Sequence, residues 1–209
     1  MSKARAKKIK LILFDVDGVL TDGSIWLVPA PPDAEQKTQA AASGKADAGG
    51  YGIVSQSMVE SKGFHAHDGT GFSLAKLAGL RTGLITKRIS ETVRLRARDL
   101  RVDFVMQGIS DKRGAVEDLL QKEGLRAEEV AFVGDDVIDL PAMRICGLAV
   151  AVPNARECVK DEAHVVTDHP GGFGAARDAI EYILQAQNKL DAIVEAYLNE
   201  RGPVTPVLI

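Results

Sequence analysis

Residues 9–18 read IKLILFDVDG, a short run of bulky apolar side chains that ends at two aspartates. Such a run is typical of a strand buried on both faces of a parallel sheet. Side chains alternate along an extended chain, so Asp15 and Asp17 would both face the crevice at the end of this strand. Two neighbouring carboxylates repel each other unless a cation joins them or one is protonated. The alternative is that the two aspartates only cap the next turn.

Short apolar runs of the same kind recur along the chain. Each ends at or close to a polar residue, a glycine or a proline, and stretches with helical spacing lie between them. This alternation predicts a parallel sheet covered by helices, in which functional groups follow the carboxyl ends of the strands. The predicted strands are 9–14, 82–86, 104–106, 130–133, 148–151 and 165–166.

Composition and charge are those of a globular protein. Of 209 residues, 45% are hydrophobic and 26% are charged, and 26 basic against 29 acidic side chains give a net charge of -3. This balance argues against nucleic acid as a partner. The apolar run after the basic N-terminus is far too short for a signal peptide or a membrane span. Two cysteines, Cys146 and Cys158, cannot form a disulfide framework, which favours a reducing, cytoplasmic setting.

An irregular segment follows the two aspartates. Residues 29–52 are rich in proline, alanine, glycine, aspartate and lysine without periodicity, which predicts a mobile surface loop. The apolar flanks, 25–28 and 53–55, are typical of the two arms of a hairpin. We therefore predict a β-hairpin insertion at residues 24–55 with a mobile tip.

The two ends of the chain have their own patterns. The first ten residues are crowded with lysine and arginine and are interpreted as a solvated tail. Residues 174–200 carry one apolar stripe, which predicts a long helix packed into the core or in part against another subunit. The prolines in residues 201–209 predict an extended C-terminal tail. The whole chain, 1–209, is predicted to form a single domain.

Polar residues also follow later strands. Thr86 closes the second long strand, Lys112 opens a helix, and the acidic sequence GDDVID occupies residues 134–139. Each has an ordinary explanation as a cap, a solvated helix residue or a turn. Their joint occurrence in this order, each at or just after a strand end, is much less expected by chance. It predicts one shared site at the edge of the sheet.

These residues resemble the motifs of the haloacid dehalogenase (HAD) superfamily of phosphohydrolases. Asp15-x-Asp17 matches the first motif, Thr86 the second, Lys112 the third and residues 134–139 the fourth. Within the superfamily the chain looks like the 3-deoxy-D-manno-octulosonate 8-phosphate phosphatase family. The short motifs that carry this second resemblance are DVDGVLTDG at 15–23, DGTG at 68–71, GDDVIDLPAM at 134–143 and GGFGAAR at 171–177.

The resemblance implies catalysis through an aspartyl phosphate. Asp15 would be the nucleophile, and the Asp17 side chain would act as general acid and then as general base. Mg2+ would be held by the carboxylates of Asp15 and Asp135 and by the backbone carbonyl of Asp17. Thr86 would donate to the phosphoryl group, and Lys112 would screen the charge between nucleophile and phosphate.

Further residues are expected around this centre. Asp139 would hold a metal-bound water or orient the site lysine, and Asp136 is expected in the same outer layer. Where the family usually has Gly-Arg, this chain has Lys87-Arg88, and Arg88 is expected to meet a substrate carboxylate. The expected substrate-binding residues are Asp68, Lys87 and Arg88.

The leading hypothesis is a capless, three-layer α/β domain with a Rossmann-like parallel sheet. By resemblance it would be a cytoplasmic, Mg2+-dependent phosphatase for 3-deoxy-D-manno-octulosonate 8-phosphate, in lipopolysaccharide biosynthesis. The resembling family forms homotetramers, which is the assembly expected here, with a sugar acid phosphate as ligand and without nucleic-acid or membrane partners. Two alternatives remain. One is a phosphatase for another nonulosonic acid phosphate, of the sialic-acid 9-phosphate type, and the other is a catalytically silent oligomerisation module.

Overall fold

The computed structural model describes residues 2–30, 51–52 and 57–199, so the predicted C-terminal tail, 201–209, lies outside it. In the described part of the chain, a six-stranded sheet lies between helices. The strands are β1 Leu11–Phe14, β2 Trp26–Pro29, β3 Tyr51–Gly52, β4 Met58–Ser61, β5 Arg81–Thr86, β6 Arg88–Ile89, β7 Phe104–Gln107, β8 Val130–Gly134, β9 Leu148–Ala151 and β10 Val165–Val166. The helices are α1 Ser2–Ala6, α2 Ala66–Leu77, α3 Glu91–Asp99, α4 Lys112–Glu123, α5 Leu140–Ile145, α6 Glu157–Glu162, α7 Ala175–Ala186 and α8 Leu190–Asn199.

The central sheet has the strand order β10-β9-β8-β1-β5-β7, and every neighbouring pair is parallel. This confirms the predicted α/β fold with a Rossmann-like parallel sheet. The predicted strands are all present, although the first begins at Leu11 rather than at Ile9. Every residue of β1 and of β8 is buried, as continuous apolar runs predict.

The order of the strands forms a crevice beside β1. The chain runs outward from β1 through β5 to β7 and then returns to β8, on the other side of β1. In open parallel sheets, the carboxyl ends of the two strands at such a reversal border the ligand-binding crevice. Asp15 directly follows β1 and Asp135 directly follows β8, so both residues lie at this edge.

The prediction of one long helix at residues 174–200 is wrong, because the structure divides this segment into α7 and α8. Asn188 adopts a left-handed conformation with φ of 56°, and the Lys189 amide donates to the Leu184 carbonyl at 2.9 Å. This bonding pattern ends a helix. The stripe on α7 is buried in the core, whereas α8 has no buried residue. None of the helices in the described ranges is both long and apolar enough to cross a membrane.

The first ten residues are not the solvated tail that their charge predicts. Residues 2–6 form α1, in which Ala6 is buried, and Ile9 is buried as well. The Arg5 guanidinium donates to the Gly147 carbonyl at 2.9 Å. Apolar positions between the charged residues anchor the segment to the domain, while the lysines stay exposed.

A hairpin follows β1, but its returning strand differs from the predicted one. Strand β2 pairs with β4 in antiparallel register, with Trp26 opposite Ser61. The predicted return arm, residues 53–55, lies outside the described residues, as do residues 31–50 of the predicted loop. Strand β4 has a buried glutamate, Glu60, on its inward face. An apolar pattern therefore could not identify β4 as the partner of β2.

Two loops pack tightly against each other at the carboxyl edge of β1. The Gly172 amide donates to the Val19 carbonyl at 3.1 Å. The Asn154 side chain donates to the Gly18 carbonyl at 2.9 Å and accepts from the Gly171 amide at 2.7 Å. A Cβ atom on Gly171 would lie 1.8 Å from the Gly18 carbonyl oxygen. Only glycine fits this contact, which fixes the loop that carries the first two aspartates.

Gly171→Ala should destabilise the protein, because the added methyl group has to push the two loops apart. We expect the free energy of unfolding, measured by urea denaturation, to fall by about 1–3 kcal/mol. Gly63→Ala is the matched control, since a Cβ atom there meets no atom within 4 Å. It should change the free energy by less than about 0.5 kcal/mol. Equal effects of the two substitutions would contradict the packing argument.

Candidate active site

The ammonium group of Lys112 joins two buried carboxylates at the carboxyl edge of the sheet. Lys112 begins α4, and its Nζ atom lies 2.8 Å from Asp15 Oδ1 and 2.6 Å from Asp139 Oδ1. All three side chains are almost completely buried. A buried charge is costly unless it is paired, so these contacts strongly constrain the positions of the three groups.

Both carboxylate oxygens of Asp139 accept hydrogen bonds from other groups of the protein. Oδ1 accepts from Lys112, and Oδ2 accepts from the backbone amides of Asp135 at 2.9 Å and Asp136 at 3.2 Å. Asp139 therefore holds the lysine and the turn after β8 in place together, and the contact with Lys112 that the resemblance implies is present. The side chain of Asp136 is exposed, and its role in the site stays a prediction.

Three carboxylates share this site with one lysine. Oxygen atoms of Asp15, Asp135 and Asp139 all lie within 4.8 Å of one another. Burial raises the pKa of Asp15 and of Asp135 far above the usual range, and neighbouring carboxylates raise them further against the charge of Lys112. Oδ1 of Asp135 is buried and has no hydrogen-bond partner among the described residues. Excess negative charge and an unused oxygen suit a divalent cation with oxygen ligands.

A glycine lets Asp135 approach the loop after β1. Gly18 has φ of 93°, a left-handed conformation that favours glycine. A Cβ atom at this position would lie 2.1 Å from Asp135 Oδ2. The glycine that follows the two aspartates therefore allows acidic groups from two different strands to meet in one site.

Asp17 belongs to a second charge cluster. Its Oδ1 atom forms an ion pair with Lys62 Nζ, and Arg88 Nε lies 3.7 Å from its Oδ2 atom. The Lys62 side chain is fully buried, whereas 22% of the Asp17 side chain is exposed. The Asp17 carboxylate thus contacts cations of its own, apart from the cluster of Asp15, Asp135, Asp139 and Lys112.

Glu60 completes this second cluster. Its carboxylate forms an ion pair with Arg88, and its Oε1 atom lies 3.6 Å from Lys62 Nζ. Burial alone would raise the pKa of Glu60, but hydrogen bonds from Ser90 and Arg88 and the charge of Lys62 hold it below its usual value. Glu60 therefore stays ionised between the two cations.

Glu60 and Lys62 are two site residues that the sequence pattern did not predict. Along β4 and just after it the side chains alternate, with Glu60 and Lys62 buried and Val59 and Ser61 exposed. Charged residues are rarely buried without partners. Two of them at alternate positions of one short segment could therefore have indicated a buried ion pair. The sequence predicts the return arm of the hairpin at residues 53–55. Residues 58–61 were therefore not expected in a strand, and their inward positions could not be assigned.

Thr86, Lys87 and Arg88 follow one another at the end of β5. Thr86 is buried, and its hydroxyl accepts from the Arg88 amide at 3.3 Å. Lys87 is half-buried, and the Arg88 guanidinium faces Glu60 and Asp17. Contacts of Thr86 with a phosphoryl group, and of Lys87 and Arg88 with substrate, stay predictions.

Asp68 joins two helices. It is buried in the first turn of α2, and its Oδ1 atom accepts from the Arg177 amide at 2.9 Å, in the first turn of α7. Burial raises the pKa of Asp68 in spite of this bond. A Cβ atom on Gly71 would lie 3.0 Å from the Arg177 Cα atom, so α2 and α7 are in close contact. A contact of Asp68 with substrate stays a prediction.

Known proteins are similar to this chain in sequence. A haloacid dehalogenase-like hydrolase family model matches residues 85–177. The 3-deoxy-D-manno-octulosonate 8-phosphate phosphatase KdsC of Escherichia coli (strain K12) is 36% identical over 188 residues, which are 90% of this chain and 86% of that protein. The phosphatase of the same name from Haemophilus influenzae is 35% identical over 186 residues, 88% of each chain.

The likeness extends to three dimensions. The crystal structure of 3-deoxy-D-manno-octulosonate 8-phosphate phosphatase from Moraxella catarrhalis, in complex with a magnesium ion, a phosphate ion and a KDO molecule, aligns with a TM-score of 0.77 at 33% sequence identity. The alignment covers 93% of this chain and 97% of that chain. Because sequence and fold agree over nearly the whole chain, this protein belongs to the 3-deoxy-D-manno-octulosonate 8-phosphate phosphatase family of HAD-like hydrolases.

Proposed function

We propose that this protein is a cytoplasmic, Mg2+-dependent phosphomonoester hydrolase that releases phosphate from 3-deoxy-D-manno-octulosonate (KDO) 8-phosphate. The observation that carries the proposal is the buried contact of Lys112 with Asp15 and Asp139, beside Asp135. The names of the relatives, and the phosphate ion and KDO molecule in the Moraxella structure, support this substrate. It would give the enzyme a role in lipopolysaccharide biosynthesis.

The first half-reaction transfers the phosphoryl group to the protein. An Asp15 carboxylate oxygen attacks phosphorus, the bond between phosphorus and the ester oxygen breaks, and its electron pair stays on the sugar oxygen. The Asp17 carboxyl gives its proton to that oxygen, so the sugar leaves with a free hydroxyl group. Asp15 then carries the phosphoryl group as an acyl phosphate, and Asp17 is ionised.

Water completes the cycle in the second half-reaction. The Asp17 carboxylate takes a proton from the water molecule that attacks phosphorus, and the bond between phosphorus and the Asp15 oxygen breaks. Inorganic phosphate leaves, Asp15 is again a carboxylate and Asp17 again carries a proton. The partial exposure of Asp17 supports this role, because the side chain is accessible to both the sugar oxygen and water.

Lys112 and Thr86 would act on the phosphoryl group from the protein side. Asp139 keeps the Lys112 ammonium beside the Asp15 oxygen that it contacts, so the lysine can screen the repulsion between nucleophile and phosphate. The Thr86 hydroxyl, at the end of the strand next to β1, would donate to a phosphoryl oxygen.

The residues of the site fit a magnesium ion. The carboxylates of Asp15 and Asp135 would hold it together with the Asp17 carbonyl, and Asp135 Oδ1 is a buried oxygen without a hydrogen-bond partner in the described residues. When bound, the ion offsets the negative charge that the carboxylates and the phosphate ester bring together. Asp139 is close enough to join the ligands, but Lys112 and two backbone amides already use its oxygens.

We also propose that copies of this chain associate through the hairpin, as a homotetramer by resemblance to the family. The hairpin exposes 49% of Ile25, 62% of Trp26 and 48% of Leu27, and Val59 on the paired strand is exposed too. An apolar surface with so little cover is typical of an interface. No cap covers the crevice in the described part of the chain, so a neighbouring copy would help to enclose the sugar.

Asp15→Asn should fold and show almost no turnover, because an amide is too poor a nucleophile to form the covalent intermediate. In a phosphate-release assay with KDO 8-phosphate, we expect a loss of more than about 1,000-fold in kcat. The control is Asp118→Asn, which changes an exposed carboxylate of α4 and should keep normal turnover. Near-normal phosphate release by Asp15→Asn would refute the assignment of the nucleophile.

The same assay on wild-type protein tests the substrate. A panel of octulosonate, nonulosonate and simple sugar phosphates should give the highest kcat/KM for KDO 8-phosphate. A preference for a nonulosonate 9-phosphate would replace the proposed substrate with the alternative one. Absence of release from every ester would leave a catalytically silent oligomerisation module.

Removing Mg2+ should stop turnover and lower stability. We expect a chelator to abolish activity, Mg2+ to restore it, and Ca2+ to restore it poorly, because Ca2+ prefers more ligands and a looser geometry. In thermal denaturation without substrate, Mg2+ at a hundred times its Kd should stabilise the folded protein by about 2.7 kcal/mol. Asp135→Asn should lose most of this stabilisation, and Asp118→Asn should keep it. Full activity in chelator would rule out the metal site.

Trp26→Asp should dissociate the assembly, because a carboxylate is costly in an apolar contact. Sedimentation velocity should show a smaller particle, and turnover of the sugar phosphate should fall more than turnover of p-nitrophenyl phosphate. Leu95→Asp, at an exposed apolar position on α3, should leave the particle size unchanged. A wild-type protein that sediments as a monomer and keeps full selectivity would overturn the proposed assembly.

A further inference from the structure

The returning strand of the hairpin carries two charged side chains into the site. Glu60 lies in β4 and Lys62 directly follows that strand, and both are buried, while Ser61 between them is exposed. The two side chains point the same way because side chains alternate along an extended chain. Neither residue lies in one of the short sequence motifs of the site.

Lys62 and Arg88 hold Asp17 between them, and Glu60 contacts both cations. Lys62 Nζ forms an ion pair with Asp17 Oδ1 and lies 3.6 Å from Glu60 Oε1. Arg88 forms an ion pair with Glu60 through a terminal nitrogen, and its Nε atom lies 3.7 Å from Asp17 Oδ2. Acidic and basic side chains thus alternate around the four groups.

The contacts at the two Asp17 oxygens differ in strength. Oδ1 is in direct contact with the Lys62 ammonium, whereas the Arg88 Nε atom at 3.7 Å is beyond hydrogen-bond distance from Oδ2. The contact with Lys62 therefore sets the orientation of the Asp17 carboxyl group through its Oδ1 atom.

The burial of Lys62 favours a fixed orientation of the Asp17 carboxyl group. An ammonium group that loses its hydration is costly unless it is fully paired, and the Lys62 side chain is 0% exposed. The ammonium group contacts Asp17 directly, and Glu60 Oε1 lies 3.6 Å away, so a shift of the Asp17 side chain would leave the buried ammonium group less well paired. A catalytic group that is already held in its reactive orientation loses less entropy when it reacts.

We propose that Lys62 is a positioning residue for Asp17, and that Glu60 keeps Lys62 and Arg88 in place around that carboxyl. The inference rests on the proposed acid–base function of Asp17. It also links the hairpin to catalysis within one chain, because the strand that pairs with β2 leads directly into the residue that orients the general acid.

The test compares two substrates on the same enzyme preparation. KDO 8-phosphate has an alkoxide leaving group that needs a proton, whereas p-nitrophenyl phosphate releases a stable phenolate that needs none. The value of kcat/KM reports the steps up to departure of the alcohol, so the later attack by water does not enter. Lys62→Met should lower kcat/KM for KDO 8-phosphate by roughly 10- to 100-fold and that for p-nitrophenyl phosphate by less than about 3-fold.

The ratio of the two kcat/KM values is the decisive readout, because a loss of folded protein lowers both equally. Lys10→Met is the matched control, since Lys10 forms an ion pair of 2.7 Å with Glu129 before β1 begins, and its ratio should not change. Lys62→Arg keeps the charge but not the contact geometry, so its ratio should shift in the same direction by at least about 3-fold. If Lys62→Met yields no folded protein, an unchanged ratio in Lys62→Arg overturns the inference.

Asp17→Asn separates this inference from the proposed function. The variant should still bind Mg2+, because the backbone carbonyl remains, and it should lose about 100-fold or more in kcat/KM on KDO 8-phosphate alone. Equal losses on both substrates would overturn the acid–base role of Asp17 itself. A selective loss in Asp17→Asn, together with equal losses or no loss in Lys62→Met, would overturn only the positioning role of Lys62.

Discussion

The arrangement of acidic residues at the carboxyl edge of the sheet depends on the ion pairs that the buried Lys112 ammonium group forms with Asp15 and Asp139. Acidic side chains that meet at the ends of β1 and β8 repel one another and lose hydration. One lysine from α4 offsets part of that charge, and the remainder suits a divalent cation. Because Asp139 bonds both the lysine and the amides after β8, the position of the charge and the shape of the turn are fixed together.

Close approach of backbone segments is the second constraint on the site. Gly18 admits the carboxylate of Asp135 to the loop after β1, and Gly171 admits the second loop to the Gly18 carbonyl. A Cβ atom on Gly134 would lie 2.6 Å from a side-chain atom of Asp139. The acidic residues supply the chemistry, but they meet only because glycines remove the side chains that would keep these segments apart.

Two aspartates that are neighbours in the first motif end in different electrostatic surroundings. Asp15 contacts the lysine of α4, whereas Asp17 contacts Lys62 at the end of β4 and lies near Arg88 after β5. This separation is consistent with the two roles proposed above, a nucleophile for Asp15 and an acid–base group for the Asp17 side chain. The hairpin that brings Lys62 to Asp17 also carries the exposed apolar side chains of Ile25, Trp26 and Leu27. In the proposed assembly, one element would therefore serve both association and catalysis.

The sequence by itself determined the sheet and the acidic centre, because a strand buried on both faces needs a continuous apolar run and parallel strands end at one edge. Asp15, Lys112 and Asp135 were therefore predictable as neighbours. Only the tertiary structure decided that Lys62 meets Asp17, across 45 positions of chain, since hairpin register depends on pairing with a distant strand. The tertiary structure also decided that the apolar stripe of residues 174–200 is divided between α7 and α8. The helix breaks between them at Asn188, which has a left-handed conformation, although the stripe continues beyond it. The periodicity of a sequence shows only which side chains are apolar. The ion pair of Lys62 with Asp17 and the break at Asn188 depend instead on backbone geometry and on charges that meet only after folding.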